Sequence, residues 1–305
     1  MSTPTFRAAV VRTPAGPDSI EIIDVPVVEP GPGKVRVGIA AAPVNPVDLA
    51  VAGGAFHSMG LINQPERTGL GWDFAGTVVA TGPGVDLAAG TRVAGLVGGF
   101  DRDFGTYAEQ IVVPAGDVAV VPDGLDLVAA STVPLNALTA AQIVDLLGDA
   151  PADGNRLLVT GAAGAVGGYV ASLARDRGWQ VTGLARAEDE DFVRSLGAGF
   201  TTNAEPGWDA VADGAVMQEQ ALALVRDGGA FVGVQPSAKL PTERGIRVEA
   251  VIVHPDGPRL AGLLARTASG ELPARVHAVV PLDQVADAHR AVAKGGLRGR
   301  YVLAP

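Results

Sequence analysis

A chain of 305 residues with 48% hydrophobic and 18% charged content is long enough for about two well-cored domains, which excludes a disordered or low-complexity protein. Its formal charge of -10 and pI near 4.8 argue against nucleic acid or an anionic membrane as partner, since neither attracts a net-negative surface. With no cysteine, disulfides, thiol nucleophiles and thiolate-bound zinc are excluded, and the four histidines, His57, His254, His277 and His289, lack metal-ligand spacing.

The first residues show no charged segment followed by an apolar stretch and a small-residue cleavage site, and no run approaches the ~18 apolar residues of a membrane span. The expectation is a soluble, cytoplasmic protein. Short apolar or alternating runs at 7–12, 20–25, 34–42, 73–81, 92–97 and 107–114, separated by Pro and Gly, predict a β-rich first domain that ends near Val121-Pro122-Asp123-Gly124. From Asp126 the chain turns Ala- and Leu-rich and helical, then alternates strand and helix. Strands are predicted at 156–160, 180–184, 208–212, 230–234 and 247–253, with helices at 165–177, closed by Gly178, and at 216–225. The tail reads as helix 258–269, strand 275–281, helix 282–293 and strand 299–303.

The segment 156–186 is a strand, turn, helix and strand of the kind that holds a dinucleotide. In its turn, Gly161-Ala162-Ala163-Gly164-Ala165-Val166-Gly167, the small residue at 162 allows the tight bend, Gly164 lets the backbone approach a pyrophosphate, and Gly167 lets the helix pack on the strand. The helix N-terminus then offers N–H groups to the phosphates. A strict fingerprint has glycine where Ala162 stands, so a glycine-rich structural turn is the alternative. At the end of the second strand, Ala185-Arg186 offers a guanidinium suited to a 2′-phosphate where an acidic residue would suit NADH, so NADPH is favoured. The alternative for Arg186 is a solvated surface arginine, and the acidic run from Glu188 to Asp191 would oppose a phosphate if it faced one.

Several segments together resemble the zinc-free quinone oxidoreductase branch of the medium-chain dehydrogenase/reductase superfamily. They are Pro43-Val44-Asn45-Pro46-Val47-Asp48, Gly71-Trp72-Asp73-Phe74-Ala75-Gly76-Thr77-Val78, Gly105-Thr106-Tyr107-Ala108-Glu109, Val133-Pro134-Leu135-Asn136-Ala137-Leu138-Thr139-Ala140, the turn at 161–167, Ser195-Leu196-Gly197-Ala198, and Gly299-Arg300-Tyr301-Val302-Leu303. Their order spans nearly the whole chain. The resemblance implies an α/β protein with a GroES-like catalytic domain (1–122 and 255–305), a Rossmann NADP-binding domain (123–254) and an active site in the cleft between them. It also implies metal-free transfer of a hydride from NADPH to a quinone or to the β-carbon of an α,β-unsaturated carbonyl, and a homodimer.

Residue by residue, the resemblance places Asn45 at the nicotinamide, Thr132 at the cofactor, Gly161, Ala162, Gly164, Ala165, Val166 and Gly167 around the pyrophosphate, and Arg186 at the 2′-phosphate. Gly233 and Val234 would flank the nicotinamide, and Arg298 and Arg300 would approach the cofactor from the tail. Read from the residues themselves, Asn45 can equally be a turn former before proline, Asp48 a helix cap, the 71–78 segment a packed strand and Tyr107 a core residue. Three positions depart from the pattern: Phe56 stands where some relatives carry an active-site tyrosine, Asp189 replaces a lysine that helps bind the 2′-phosphate, and Ala204 replaces a tyrosine. No catalytic acid is legible; Asn45 and His57 are the candidates, His57 lying in a stretch, 57–67, that the resemblance places along the cleft. Two other functions stay open, an enoyl-thioester reductase of fatty-acid or polyketide synthesis and an NADPH-binding sensor without turnover. A basic patch of Arg67, Arg102 and Arg298 would favour an acidic acyl carrier.

Overall fold

The computed structural model describes residues 4–235 and 239–305. Contacts divide the chain into two units, one running up to Leu135 and resuming at His254, the other Asn136–Val253.

In the first unit, strands β1 (Thr5–Val11), β2 (Ile20–Pro26), β3 (Lys34–Pro43), β4 (Thr68–Gly69), β5 (Asp73–Thr81), β6 (Arg92–Leu96), β7 (Gln110–Pro114) and β8 (Val118–Val120) are interrupted by helices α1 (Pro46–Ala52) and α2 (Ala55–Ser58). Helix α3 (Leu127–Ser131) follows, and α4 (Pro134–Leu147) leads into the second unit. The second unit contains strands β9 (Arg156–Thr160), β10 (Gln180–Leu184), β11 (Gly199–Thr201), β12 (Trp208–Asp213), β13 (Val225–Gly233) and β14 (Arg247–Ala250), with helices α5 (Ala165–Leu173), α6 (Glu190–Ser195) and α7 (Glu219–Leu222). The chain closes with α8 (Gly257–Ala268), β15 (Val276–Pro281), α9 (Val285–Ala293) and β16 (Arg300–Ala304).

The tail belongs to the first unit because its last strand completes that unit's sheet. β16 pairs antiparallel with β3, Leu303 opposite Ala42, in a sheet ordered β15-β16-β3-β5-β6-β8 with β7 also on β3. Strand alternation puts Val35, Val37 and Ile39 of β3 inward, where they pack with Phe74, Val93, Tyr107 and Leu303. The three-stranded sheet β2-β1-β4 lies in the same unit. Asp256 caps α8 by accepting from the Arg259 N–H at 2.9 Å, and the helix turns Leu260, Leu263, Leu264 and Thr267 inward at the 3.6-residue period.

The second unit is one six-stranded parallel sheet ordered β11-β10-β9-β12-β13-β14. Its apolar core joins Leu158, Val211, Leu222, Val225 and Phe231. Both sequence expectations of fold, a GroES-like β-rich part and a parallel-sheet nucleotide-binding part, hold. The predicted helix over 216–225 is corrected: only Glu219–Leu222 is helical, and Val225 already belongs to β13. The buried Asp213 carboxylate collects the N–H groups of Met217 and Gln218, which wraps the chain into a loop with positive φ at Val216 and Gln218. Two bounds shift as well: β14 stops at Ala250, short of 253, and the helix from Ala165 tightens into a 3-10 turn after Leu173 before Gly178 ends it. Among the described residues no helix is long and apolar enough to cross a membrane.

His289 on α9 is fully buried, edge-on to the Tyr107 ring at 5.8 Å, with neither ring nitrogen hydrogen-bonded. Burial pulls its pKa down to about 4. Above the ordinary value near 6.5 the ring is neutral folded or unfolded, so it costs nothing; below that the unfolded chain takes up a proton that the folded chain refuses until about pH 4. Urea unfolding between pH 7 and pH 4 is expected to show stability falling with pH, with His289 contributing on the order of 3 kcal/mol, and His289→Phe is expected to flatten that acid limb.

Candidate functional site

In the second unit the chain leaves β9, winds to β10 and β11 on one side, then returns to place β12, β13 and β14 on the other. The connections at the carboxyl ends of β9 and β12 therefore diverge, and ligands of open parallel sheets bind in the crevice that such divergence leaves. Thr160, Asp213 and Gly233 end neighbouring strands in register. The Thr160 hydroxyl donates to Asp213 Oδ1 at 2.6 Å and accepts from the Ala215 N–H at 3.2 Å. Asp213 also accepts from the Met217 and Gln218 N–H groups at 3.1 and 2.8 Å, so one carboxylate with no exposed surface fixes the loop on its side of the crevice.

Gly161, Ala162, Gly164, Ala165, Val166 and Gly167 are brought together on the other side, in the turn from β9 into α5. Gly161 has φ +61, and its carbonyl accepts from the Gly164 N–H at 2.7 Å. A Cβ on Gly167 would lie 2.3 Å from that same carbonyl oxygen, so helix and turn meet only with glycine there. Gly164 caps α5, whose first intrahelical bond runs from the Gly168 N–H to the Gly164 carbonyl. The N–H groups of the first helical turn are then left for an anion such as a pyrophosphate. Ala162, the departure from a strict glycine pattern, is buried, and its methyl faces Gly183 of β10, where a Cβ would stand 2.5 Å away. The sheet has given up a side chain on β10 to accommodate the one at 162. These features fit a dinucleotide.

Arg186 follows β10 and is half exposed, with Nε 3.2 Å from Glu188 Oε1 and 3.6 Å from Asp189 Oδ2. The acidic run thus does face the guanidinium. Gly233 ends β13 level with Asp213, its carbonyl accepting from the Val251 N–H, and Val234 follows it half-buried. A cavity of about 420 Å³ lined by Arg156, Arg175, Trp179 and Trp208 lies at the opposite, amino-terminal ends of β9, β10 and β12, away from this crevice.

The first unit gathers a different set. Asn45 caps α1 ahead of Pro46, almost fully buried, and donates from Nδ2 to Asp73 Oδ1 at 2.8 Å; its N–H donates to Asp48 Oδ2 at 2.9 Å. Asp48 Oδ1 accepts from the Gly71 N–H and Asp73 Oδ2 from the Leu135 N–H, which ties α1, β5 and the start of α4 through two buried carboxylates. Burial raises Asp48 to about 6 and, with Asp48 adding repulsion, Asp73 to about 8. The positive charges of Arg102 and Arg300 pull the other way at Asp48 and Asp73 respectively. Tyr107 is fully buried against Asp48, and burial drives its phenol well above the ordinary value. Arg102 donates to the carbonyls of Gly71, Val97 and Gly99 and lies over the Trp72 ring at 4.5 Å, with burial lowering it to about 10.

Thr132 is buried at the end of α3 with its hydroxyl donating to the Ala129 carbonyl at 2.8 Å. His57, on α2, faces Thr68 Oγ1 through Nε2 at 3.0 Å, and burial lowers its pKa. Arg298 donates to the Gly296 and Leu297 carbonyls, and Arg300 opens β16. Of the residues named from sequence, the structure joins Asn45 to the buried carboxylates by hydrogen bonds, lets the charge of Arg300 act on Asp73, and brings the 161–167 turn to the sheet crevice. The reading missed Asp73 as a polar centre, and Thr160 and Asp213 altogether. Each is a polar residue at the end of an apolar strand, the pattern that could have flagged them.

The close fit of Ala162 against Gly183 makes a direct test. Gly183→Ala is expected to lower stability by roughly 1–3 kcal/mol through overpacking, and the double change Ala162→Gly with Gly183→Ala to recover part of the loss, measured as coupling in a urea-unfolding cycle.

Residues 31–123 match the alcohol dehydrogenase GroES-like domain model, and residues 184–303 match a model described as zinc-binding dehydrogenase. The chain is 32% identical over 303 residues to the pikromycin polyketide synthase component PikAII of Streptomyces venezuelae, covering 90% of this chain but 8% of that one. It is 34% identical over 175 residues to the trans-enoyl reductase pgmF of Aspergillus terreus, 55% of this chain and 48% of that one. It is also 31% identical over 266 residues to a probable mitochondrial zinc-binding oxidoreductase of Arthroderma benhamiae, 78% of this chain and 80% of that one. The chain thus spans under half the length of the first two. In fold it matches the quinone oxidoreductase of Coxiella burnetii with a TM-score of 0.85 at 22% identity, over 99% and 100% of the two chains. Zinc does not fit the residues present: there is no cysteine, and among the described residues no group of three or more His, Cys, Asp or Glu side chains could hold a metal ion. Matched along most of its length by an oxidoreductase of this kind, and carrying both its GroES-like and its nucleotide-binding sheets, the chain belongs to the medium-chain dehydrogenase/reductase superfamily of nicotinamide-dependent oxidoreductases.

Proposed function

We propose that the chain is a reductase that moves a hydride from NADPH to the β-carbon of an α,β-unsaturated carbonyl or to a quinone. The observation that carries this reading is the Gly161–Gly167 turn closing on the switch point between β9 and β12. The likeness to a trans-enoyl reductase supports reduction of a conjugated double bond. The fold shared with a quinone oxidoreductase leaves quinones as the second acceptor class.

The cofactor supplies the hydride and holds it on the nicotinamide ring. The protein's part is positioning. The first turn of α5 would take the pyrophosphate on backbone N–H groups, and the Thr160 to Asp213 hydrogen bond keeps that turn and the 214–218 loop at a fixed separation. Arg186 would approach the adenosine ribose at the end of β10, which is why NADPH is named before NADH. Gly233, which ends β13 level with Asp213, would lie beside the nicotinamide end. Binding the reactants in this way removes much of the entropic barrier without a metal or a strong acid.

An enoyl thioester carried on an acyl carrier protein is the alternative, and the similarity to a polyketide synthase component favours it. Against a carrier stand the net charge of -10 and the engagement of the Arg102 guanidinium by the Gly71, Val97 and Gly99 carbonyls, which draws it away from the basic patch that an acidic carrier would need.

The test is NADPH oxidation at 340 nm by the purified protein with 9,10-phenanthrenequinone, a simple enone and a short enoyl thioester. Turnover of the enone or the quinone is expected. Binding of NADPH with no oxidation by any of the three would contradict the reductase reading and favour a sensor.

A further inference from the structure

Resting on the reading that the second unit binds a nicotinamide cofactor, the geometry around Arg186 points to a built-in limit on its choice between NADPH and NADH. Arg186 begins a short 3-10 turn, closed by the Asp189 N–H donating to the Arg186 carbonyl at 2.9 Å, and this folds the side chains of Glu188 and Asp189 back onto the guanidinium. Both carboxylates approach the same atom, Nε, at 3.2 and 3.6 Å. The two differ in freedom: the Asp189 side chain is 8% exposed and the Glu188 side chain 64%. The carboxylates thus meet the inner nitrogen of the guanidinium, and the Arg186 side chain is 53% exposed. Glu190 is engaged by Arg194 at 2.7 Å, which removes Arg194 as a substitute cation for the same role.

We propose that Asp189 is a positioning residue that holds the Arg186 fork toward the adenosine ribose, while Glu188 is a competing counter-ion that weakens the hold on a 2′-phosphate and leaves NADH usable. A 2′-phosphate carries close to two negative charges near neutral pH and would meet a guanidinium already shared with two carboxylates. A ribose 2′-hydroxyl is uncharged, loses nothing to that repulsion and can donate to Glu188 if the side chain turns toward it. Glu188, exposed, can be displaced; Asp189, buried, stays on Nε. The chain therefore discriminates weakly, and the discrimination is adjustable at one surface position.

The experiment is fluorescence titration of wild type, Glu188→Gln, Asp189→Asn and Arg186→Ala with NADPH and NADH, with 2′,5′-ADP and 5′-AMP as competitors that isolate the ribose end. Glu188→Gln is expected to tighten NADPH and 2′,5′-ADP about tenfold with NADH and 5′-AMP changed less than about twofold, as removing one of two charges competing for a charge-assisted pair implies. Asp189→Asn is expected to weaken NADPH selectively, and Arg186→Ala to bring NADPH to the level of NADH or below. Equal changes for both nucleotides, or none, in Glu188→Gln would overturn the proposal while leaving cofactor binding intact. Failure of wild type to bind either nucleotide would instead overturn the cofactor reading beneath it.

Discussion

The hydrogen bond between the Thr160 hydroxyl and the Asp213 carboxylate is the constraint on which the second unit's candidate site depends. It joins the ends of two strands whose connections depart in opposite directions, and Asp213 spends its remaining acceptor capacity on the N–H groups of the loop that follows. A buried carboxylate without partners would be unfavourable, so the loop folds around it even though Val216 and Gln218 must take positive φ. Backbone strain of this kind is tolerated where surrounding contacts over-determine the chain, and here it stands beside the glycine turn. On the facing side, Gly167 resting on the Gly161 carbonyl gives the helix its approach to the sheet. The two loops thus define a crevice suited to a pyrophosphate held through backbone N–H groups.

The first unit uses buried charge differently. Asp48 and Asp73 sit under Asn45 and accept from the Gly71 and Leu135 N–H groups, so a helix start, a strand and the entry to α4 share two carboxylates. Burial and mutual repulsion favour holding a proton between the two, while backbone donors and the charges of Arg102 and Arg300 favour releasing it. Hydrogen bonds that tie three segments to one another give specificity of arrangement as much as stability. Asn45 is therefore both the turn former before proline and part of a hydrogen-bonded centre, the two readings that its sequence context left open.

Much of this was legible in the sequence because period and punctuation agree with the fold. The strand at 180–184 and the start of the helix at Ala165 fall where the apolar pattern and the glycines place them. The 216–225 segment misled because its Ala, Leu and Gln content suits a helix, whereas the decisive group, Asp213, lies before it and acts through backbone N–H groups that composition does not reveal. Short elements such as β4, β8 and β11 were missed since two or three residues carry no period. The allowance for Ala162 was illegible in the motif itself; it lies in Gly183, on the neighbouring strand, and only pairing of β10 with β9 brings the two together. Arg186 was found from its place after β10, but that its neighbours fold back onto it needed the 3-10 turn.

The measurement that bears most directly on the central claim is calorimetric titration of the purified chain with NADPH and with NADH. The account predicts saturable binding of one nucleotide per chain, lost when Gly167→Val forces the helix off the Gly161 carbonyl. No binding of either nucleotide to the folded wild-type protein would contradict it.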